Sequence, residues 1–318
     1  MANEFAGPQD EKKLMSDSPP ILFVGAPRSG TTVIFEHFSL HPDLAWVSNY
    51  SKLFPRLASV NLIRRLFDNS LINVRGQKNQ FNDVSIINKL LPRPDESYPF
   101  WNAFACKGFD RAFLLDRTAT PTERSQLRRA LSAVLKYQAR AHVTAKLTGP
   151  GRIKYLNSVW PDVQVVHVIR DGFDVIKSLL NEDFWKDQNG YDTPWWEGGL
   201  DPDELKKWEA SGKDPAELAA LQWRTIIETT RSEARECMGD RYIELKYEDF
   251  LADSVGEIQK IYSRFGLDNA KATPKLLEKR NKSHQNTWTP EEVKRLQRWM
   301  SPAYEDLGYL RTESCTAA

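Results

Sequence analysis

ILFVGAPRSGTT, residues 21–32, is the stretch that decides the fold of this 318-residue chain. Ile21–Gly25 is a short apolar run, which is typical of a strand buried on both faces of a parallel sheet. The turn Gly25–Thr32 follows it, and Thr31–His41 has the pattern of a helix that ends before Pro42. This order of strand, glycine-rich turn and helix predicts a helix N-terminus whose backbone N–H groups bind an anion.

The turn has the spacing of the NTPase P-loop, G-x-x-x-x-G-K-[ST], with one chemical difference. Gly25 and Gly30 allow the backbone to approach a phosphate closely, and Thr32 adds a hydroxyl donor beside that of Thr31. Thr31 stands where an NTPase has its lysine, and the cation lies within the loop as Arg28. Because an NTPase needs that lysine on the β- and γ-phosphates, the exchange disfavours ATP chemistry and suits a single 5′-phosphosulfate.

Short apolar runs alternate with amphipathic stretches along the rest of the chain, which is the pattern of a parallel α/β sheet. Further strands are predicted at Leu44–Val47, His142–Leu147, Val163–Ile169 and Tyr242–Leu245. Further helices are predicted at Asp171–Leu180, Pro215–Cys237 and Ser254–Phe265. The sequence therefore predicts an α/β fold, a P-loop-type three-layer sandwich with a central parallel sheet flanked by helices.

Charge and cysteine content limit which binding partners and which cellular compartment are expected. The net charge is +1, from 44 basic and 43 acidic residues, so neither bulk nucleic-acid binding nor a polybasic membrane contact is expected. Three widely spaced cysteines, Cys106, Cys237 and Cys315, favour a reduced, cytoplasmic compartment without a zinc site. No apolar run reaches the ~18–20 residues of a membrane span. Residues 1–19 are expected to be a disordered leader without a signal sequence, and residues 312–318 a tail.

Two segments fit the alternation of strands and helices poorly and are expected to be insertions in a single domain over 20–311. Residues 50–140 are mixed and helical, and residues 182–212 are rich in aromatic side chains. Insertions of this kind in α/β enzymes often cover the substrate, and peripheral aromatic packing is the alternative. The aromatic residues concerned are Trp185, Tyr191, Trp195, Trp196 and Trp208.

A second anion-binding signal follows the strongest predicted strand. Arg170 comes directly after that strand, at the carboxyl edge where open α/β sheets bind their ligands. Ser178 follows eight residues later, a helical rise of about 12 Å, so spacing alone does not bring both side chains to one atom. A surface arginine paired with Asp171 is the alternative interpretation of Arg170.

GAPRSGTT resembles the phosphosulfate loop of sulfotransferases that use PAPS (3′-phosphoadenosine 5′-phosphosulfate). Its arginine form is similar to that of tyrosylprotein and many bacterial sulfotransferases. Arg170 and Ser178 are similar to the family's R-x₇-S motif for the 3′-phosphate, and Lys146 in KLTGP resembles its K-x-x-P segment. Tyr247-Glu248-Asp249 resembles a late segment of the family, and Trp288 resembles the C-terminal pattern that closes over the nucleotide. The resemblance runs from about residue 20 to residue 310.

The resemblance implies transfer of a sulfuryl group from PAPS to a hydroxyl or amine of a small molecule, sugar or lipid, without a metal. Arg28 and Lys146 would stabilise the charge on the leaving oxygen. The implied PAPS contacts are Pro27, Arg28, Ser29, Gly30, Thr31, Thr32, Arg170, Ser178 and Trp288. Two alternatives stay open: a P-loop phosphotransferase or nucleotide kinase, and a PAPS- or nucleotide-binding protein without catalysis. No nucleic-acid partner is expected, and the oligomeric state stays open.

The chain differs from the resembled family in the residues at the expected position of the general base. The tyrosylprotein branch has a glutamate after the second strand, where this chain has Ser48–Tyr50, none of which is a good base. Glu96, in LPRPDESYPFW, and Asp183, in NEDFW, are the candidates, and a solvated loop carboxylate is the alternative for each. His37 and His41 are expected to lie down the first helix, away from the edge.

Overall fold

The computed structural model describes residues 19–69, 72, 74–76, 90–186, 192–271 and 288–309. The predicted leader, apart from Pro19, and the predicted tail therefore lie outside the described residues, as does Tyr191.

Five parallel strands form one sheet in the order β2-β3-β1-β4-β5. They are β1 (Ile21–Gly25), β2 (Leu44–Trp46), β3 (His142–Thr148), β4 (Gln164–Ile169) and β5 (Tyr242–Lys246). The predicted strands are confirmed, with bounds that differ by at most one residue at an end. The strand before the glycine-rich turn lies at the centre, so the turn opens at the middle of the carboxyl edge.

Helices connect and cover the strands. Within the described residues the α-helices are α1 (Thr31–Phe38), α2 (Asn49–Leu53), α3 (Ile63–Phe67), α4 (Tyr98–Phe104), α5 (Pro121–Gln138), α6 (Ile153–Val159), α7 (Gly172–Leu179), α8 (Asp183–Lys186), α9 (Pro202–Ala210), α10 (Pro215–Cys237), α11 (Tyr247–Ala252), α12 (Ser254–Arg264), α13 (Pro290–Met300) and α14 (Ala303–Asp306). Short 3₁₀ helices occupy Ala58–Leu62, Gly239–Arg241 and Asn269–Lys271. Among the described helices, none combines the length and apolar character needed to cross a membrane.

Side chains alternate between the two faces of β1 and so build two core layers. Phe23 packs with Phe35 and Phe38 of α1 on one face, and the ring centroids of Phe23 and Phe38 are 4.8 Å apart. Leu22 and Val24 face the other layer, which α5 and α6 cover. The predicted three-layer sandwich is therefore confirmed.

The tryptophans of 182–212 contribute to the core. Trp185 and Trp196 are buried, with ring centroids 6.2 Å apart, against α7 and α10. Trp208 is fully buried, and its Nε1 donates to the carbonyl of Asp214 at 2.8 Å. Trp195 is partly buried beneath the guanidinium of Arg111, which lies 3.9 Å from its ring. These four are packed as in the aromatic-packing alternative, and the covering role of 50–140 and 182–212 stays a prediction.

Candidate functional site

The turn after β1 leaves the N-terminus of α1 open to a ligand. Gly30 is the N-cap, at φ +82°, and no side chain of the described residues caps the helix. A Cβ on Gly30 would lie 2.2 Å from the ring of Tyr247, and one on Gly25 would lie 2.4 Å from the carbonyl oxygen of Val168. Close packing therefore requires glycine at both positions. Because no described side chain caps α1, its first backbone N–H groups are available for an anion.

Two hydroxyl groups in this turn are buried without a partner. Ser29 and Thr31 are 0% and 2% exposed, and neither Ser29 Oγ nor Thr31 Oγ1 has a hydrogen-bond partner among the described residues. A buried polar group without a partner costs about 1–3 kcal/mol. The turn therefore fits a ligand with several acceptor oxygens, such as a phosphate or a sulfate ester.

Arg28 is held by two side chains that lie in α7 or just after it. Its Nε donates to Ser178 Oγ at 2.9 Å, and its Nη2 lies 3.1 Å from Glu182 Oε1. Arg28 has φ +68°, a left-handed backbone conformation that is uncommon for a residue with a side chain. The structure thus brings Ser178 to the turn after β1, across 150 residues of sequence.

Arg170 joins the two anion-binding motifs. Its Nη1 donates to the carbonyl of Arg28 at 3.2 Å, and its guanidinium lies 4.6 Å from the centroid of the Tyr247 ring. It forms an ion pair with Asp174 at 3.1 Å, and Asp171 caps the N-terminus of α7. Arg170 Nε is buried and without a partner among the described residues.

Lys146 lies beside the same turn, on β3. It is 3% exposed, and its Nζ donates to Thr32 Oγ1 at 2.8 Å. Glu96 Oε2 lies 3.8 Å from that Nζ, and Glu96 Oε1 accepts from both the backbone N and the hydroxyl of Thr148. The structure therefore groups Lys146, Thr32 and Glu96 at the carboxyl edge of the sheet.

Glu96 reaches this edge because its loop runs along the end of β2. Asp95 N donates to the carbonyl of Val47 at 2.9 Å, and Ser97 Oγ donates to that of Ser48 at 2.9 Å. Ser97 has φ +50°, a left-handed conformation that is uncommon for a residue with a side chain. This geometry carries the Glu96 carboxylate to the carboxyl edge of the sheet, beside Lys146 and Thr148.

The other candidate residues are placed differently. Asp183 begins α8 and is exposed, and within the described part of the chain no hydrogen bond or ion pair joins it to the turn. Trp288 packs on α7, 6.3 Å from Phe173 and under Lys177 Nζ at 4.9 Å. Its Nε1 is buried without a partner among the described residues. His37 contacts the carbonyl of Val33 in its own helix, as expected of a residue away from the edge.

Three residues of the site are not indicated by the sequence. Glu182 is the residue before the candidate Asp183, but nothing in the neighbouring sequence indicates that it pairs with Arg28. Tyr98 lies two residues after Glu96, and its hydroxyl donates to the carbonyl of Thr148. Burial, followed by the nearby Glu96 carboxylate, raises the pKa of Tyr98, so the phenol stays protonated. Tyr247 packs on Gly30 and Arg170, a role that its motif does not reveal.

The late motifs close over the N-terminus of α7. Glu248 Oε1 accepts from Asp171 N at 3.0 Å, and Tyr309 OH donates to Glu248 Oε2 at 2.8 Å. Among the residues that the structure describes, no group of three or more His, Cys, Asp or Glu side chains is placed to hold a metal ion.

Comparison with known proteins gives a family and a fold. The model of the family described as "Sulfotransferase family" matches residues 19–271. Sulfotransferase STF9 from Mycobacterium avium is similar in structure, with a TM-score of 0.55 at 15% identity, over 94% of this chain and 79% of that chain. Sulfotransferase STF1 from Mycobacterium tuberculosis H37Rv has a TM-score of 0.48 at 15% identity, over 92% and 79%. No curated protein matches the chain.

Proposed function

The chain belongs to the sulfotransferase family, and on that premise we propose that it uses PAPS to sulfate a hydroxyl or amine. One observation carries the choice of PAPS: the hydrogen bond from Arg170 Nη1 to the carbonyl of Arg28 joins two anion-binding motifs 142 residues apart. A 5′-phosphosulfate at the start of α1 and a 3′-phosphate near Arg170 would then bind to adjacent groups. ATP, which lacks a 3′-phosphate, would leave the second site unused.

The residues present fit this ligand. The backbone of 27–32 would bind the 5′-phosphosulfate together with the hydroxyls of Ser29 and Thr31, which have no partner among the described residues. The buried Nε of Arg170 would serve the 3′-phosphate, since a guanidinium suits a phosphate well. Ser178, held against Arg28, would line the same space. Trp288 has both an aromatic face and an Nε1 without a partner among the described residues, and both could serve the adenosine.

The chemistry needs little more than charge stabilisation and a base. PAPS supplies the sulfuryl group and the leaving bisphosphate. Arg28 and Lys146 stabilise the negative charge that develops on the leaving oxygen, and Thr32 positions Lys146. Glu96 accepts the proton of the acceptor hydroxyl at Oε2 while Thr148 holds Oε1. Asp183, exposed at the start of α8, is the weaker candidate for this base.

We further propose one domain over 20–311 in which the two insertions cover the acceptor. Glu96 lies in the insertion 50–140, and Glu182, which pairs with Arg28, begins the insertion 182–212. Both insertions thus contribute a carboxylate at the edge where the acceptor would enter. A small molecule, a sugar or a lipid fits this arrangement.

The direct test is a transfer assay with sulfur-labelled PAPS and panels of phenols, alcohols, amines, sugars and lipids, with products identified by mass spectrometry. We expect a sulfated product and release of the 3′,5′-bisphosphate. Arg28→Ala should abolish turnover and weaken PAPS binding, because it removes the guanidinium beside the phosphosulfate. Arg264→Ala is the matched control, since this half-exposed arginine of α12 pairs with Asp240 instead.

The outcomes separate the alternatives. Full activity of Arg28→Ala would contradict the assignment of the turn. Tight binding of PAPS without transfer to any acceptor would instead favour a nucleotide-binding protein without catalysis. Transfer of phosphate from ATP would favour the P-loop kinase.

A further inference from the structure

Exposed apolar side chains are concentrated in one part of the described surface. Of the large apolar side chains that are exposed in the described residues, only Leu115 lies outside residues 53–90. Leu53 and Leu66 are 65% and 67% exposed. We call this set the apolar face; its members are Leu53, Phe54, Leu57, Leu62, Leu66, Ile72, Val74 and Leu90.

These side chains belong to one outer layer of short elements. The 3₁₀ helix Ala58–Leu62 packs on α5, and α2 packs on α4. The hydroxyl of Tyr50 in α2 donates to the carbonyl of Leu90, and Val74 N donates to that of Phe67 at 2.8 Å. A shallow groove of about 20 Å³ opens beside α2 between Phe54, Leu57, Phe100 and Phe104. The inner sides of these elements are therefore packed, and the apolar face is turned to solvent.

Among the described residues of 49–76, the exposed charged side chains have one sign. Lys52, Arg56 and Arg65 are exposed within it. Asp68 is the one acidic residue of 49–76, and it is buried in ion pairs with Arg64 and Arg75. The face is thus apolar and basic, although the whole chain has a net charge of only +1.

We propose that the apolar face docks on the surface of an anionic lipid bilayer. Apolar side chains interleaved with lysine and arginine are the composition that binds the headgroup region of such membranes. A concentration of exposed apolar side chains on a folded domain marks an interaction surface. A second copy of the chain is a poorer occupant, because a symmetric contact would bring Lys52, Arg56 and Arg65 against the same cations.

The apolar face lies close in sequence to the candidate site, so docking would bring the site near the membrane. This step rests on the proposed function. α2 starts at Asn49, three residues after β2 ends, and Leu90 lies six residues before Glu96. The carboxyl edge of the sheet, with Lys146 and Glu96, would thus lie near the membrane surface. An amphipathic acceptor held in the bilayer could then present its polar group to the site.

Co-sedimentation with vesicles of phosphatidylcholine, with and without phosphatidylserine, tests the docking. We expect the chain to bind the phosphatidylserine vesicles and to dissociate as salt is raised. The variants Leu53→Ser/Leu66→Ser and Lys52→Gln/Arg65→Gln should each weaken binding at least about tenfold. Leu115→Ser and Lys206→Gln are matched controls, an exposed leucine and an exposed lysine outside the face, and should bind like the wild type.

Several results would overturn the proposal. These are the absence of binding to phosphatidylserine vesicles, equal losses in the control variants, and sedimentation equilibrium showing a dimer that the face variants dissociate. PAPS affinity and thermal unfolding of each variant separate a lost surface from a lost fold. Should the leucine variant unfold, the charge variant alone decides, because its side chains are exposed.

Discussion

At the scale of single residues, Glu96, which we propose as the base, shows how a carboxylate can reach the carboxyl edge from a segment distant in sequence. No carboxylate directly follows β2, and the loop that runs along Val47 and Ser48 brings Glu96 to Lys146 instead. The sequence indicates Glu96 as a candidate but does not separate it from Asp183, because the contact depends on backbone pairing between distant segments. The ion pair with Lys146 and the hydrogen bonds from Thr148 favour Glu96.

Glu96→Gln should lower kcat by at least about 100-fold and leave PAPS affinity nearly unchanged, since the amide cannot accept a proton but keeps the shape. Asp183→Asn is the matched control and should retain activity, because Asp183 is exposed at the start of α8. Single-turnover kinetics with titrated PAPS binding measure both quantities. A large loss in Asp183→Asn with little loss in Glu96→Gln would reverse the assignment.

Arg170→Ala tests the second anion site by comparing the affinities for two ligands, one with and one without a 3′-phosphate. The loss of a charge-assisted contact costs about 1.5–3 kcal/mol, so affinity for the 3′,5′-bisphosphate should fall roughly ten- to a hundredfold. Affinity for 5′-AMP, which lacks the 3′-phosphate, should change much less. Isothermal titration of both ligands against both proteins measures this difference, and equal losses would refute the 3′-phosphate role.

At the scale of elements, the strands and the turn after β1 could be predicted from the sequence because their signals are local. Valine-rich runs such as Val163–Ile169 are buried on both faces, and glycine marks the point where the backbone must be close to another chain segment. The end of α1 was predicted less well. It stops at Phe38, where Ser39 forms the C-cap, instead of continuing to His41.

Gly30→Ala should both destabilise the fold and abolish PAPS binding, because its Cβ would meet the ring of Tyr247 at 2.2 Å. Gly212→Ala is the matched control: Gly212 also has positive φ, at +102°, but no described atom lies within 4 Å of the position that a Cβ would take there. The control should lose about 1 kcal/mol of unfolding free energy and keep its PAPS affinity. Chemical denaturation and PAPS titration of both variants distinguish them. Equal PAPS affinity in the two would contradict the role of the turn.

At the scale of the whole molecule, long-range contacts are what the sequence could not supply. Arg28 meets Ser178 and Glu182, and Lys146 meets Glu96, only because parallel strands bring their carboxyl ends to one edge. The net charge also averages over local differences. A value of +1 for the whole chain includes the described residues of 49–76, whose exposed charged side chains are all basic.

The sheet also makes the stability of the molecule sensitive to acid. Burial lowers the pKa of His167 on β4 to about 4, and it lowers the pKa values of His41 and His142 as well. Between pH 6.5 and 4 these histidines therefore bind more protons in the unfolded chain than in the folded one, so their contribution to the free energy of unfolding falls as the pH falls. Burial raises the pKa values of Glu228 and Glu233, and these two groups oppose that loss. His167 alone would contribute up to about 3 kcal/mol of this loss.

His167→Gln should flatten that dependence, because glutamine can still contact the hydroxyl of Tyr242, which lies 2.6 Å from His167 Nδ1, but cannot take a proton. Denaturant unfolding at a series of pH values between 6.5 and 4 measures the slope for each protein. If the free energy of unfolding of His167→Gln depends on pH as steeply as that of the wild type, the acid sensitivity arises elsewhere. His41 and His142, which lie on the other side of the sheet centre, would then be the next residues to replace.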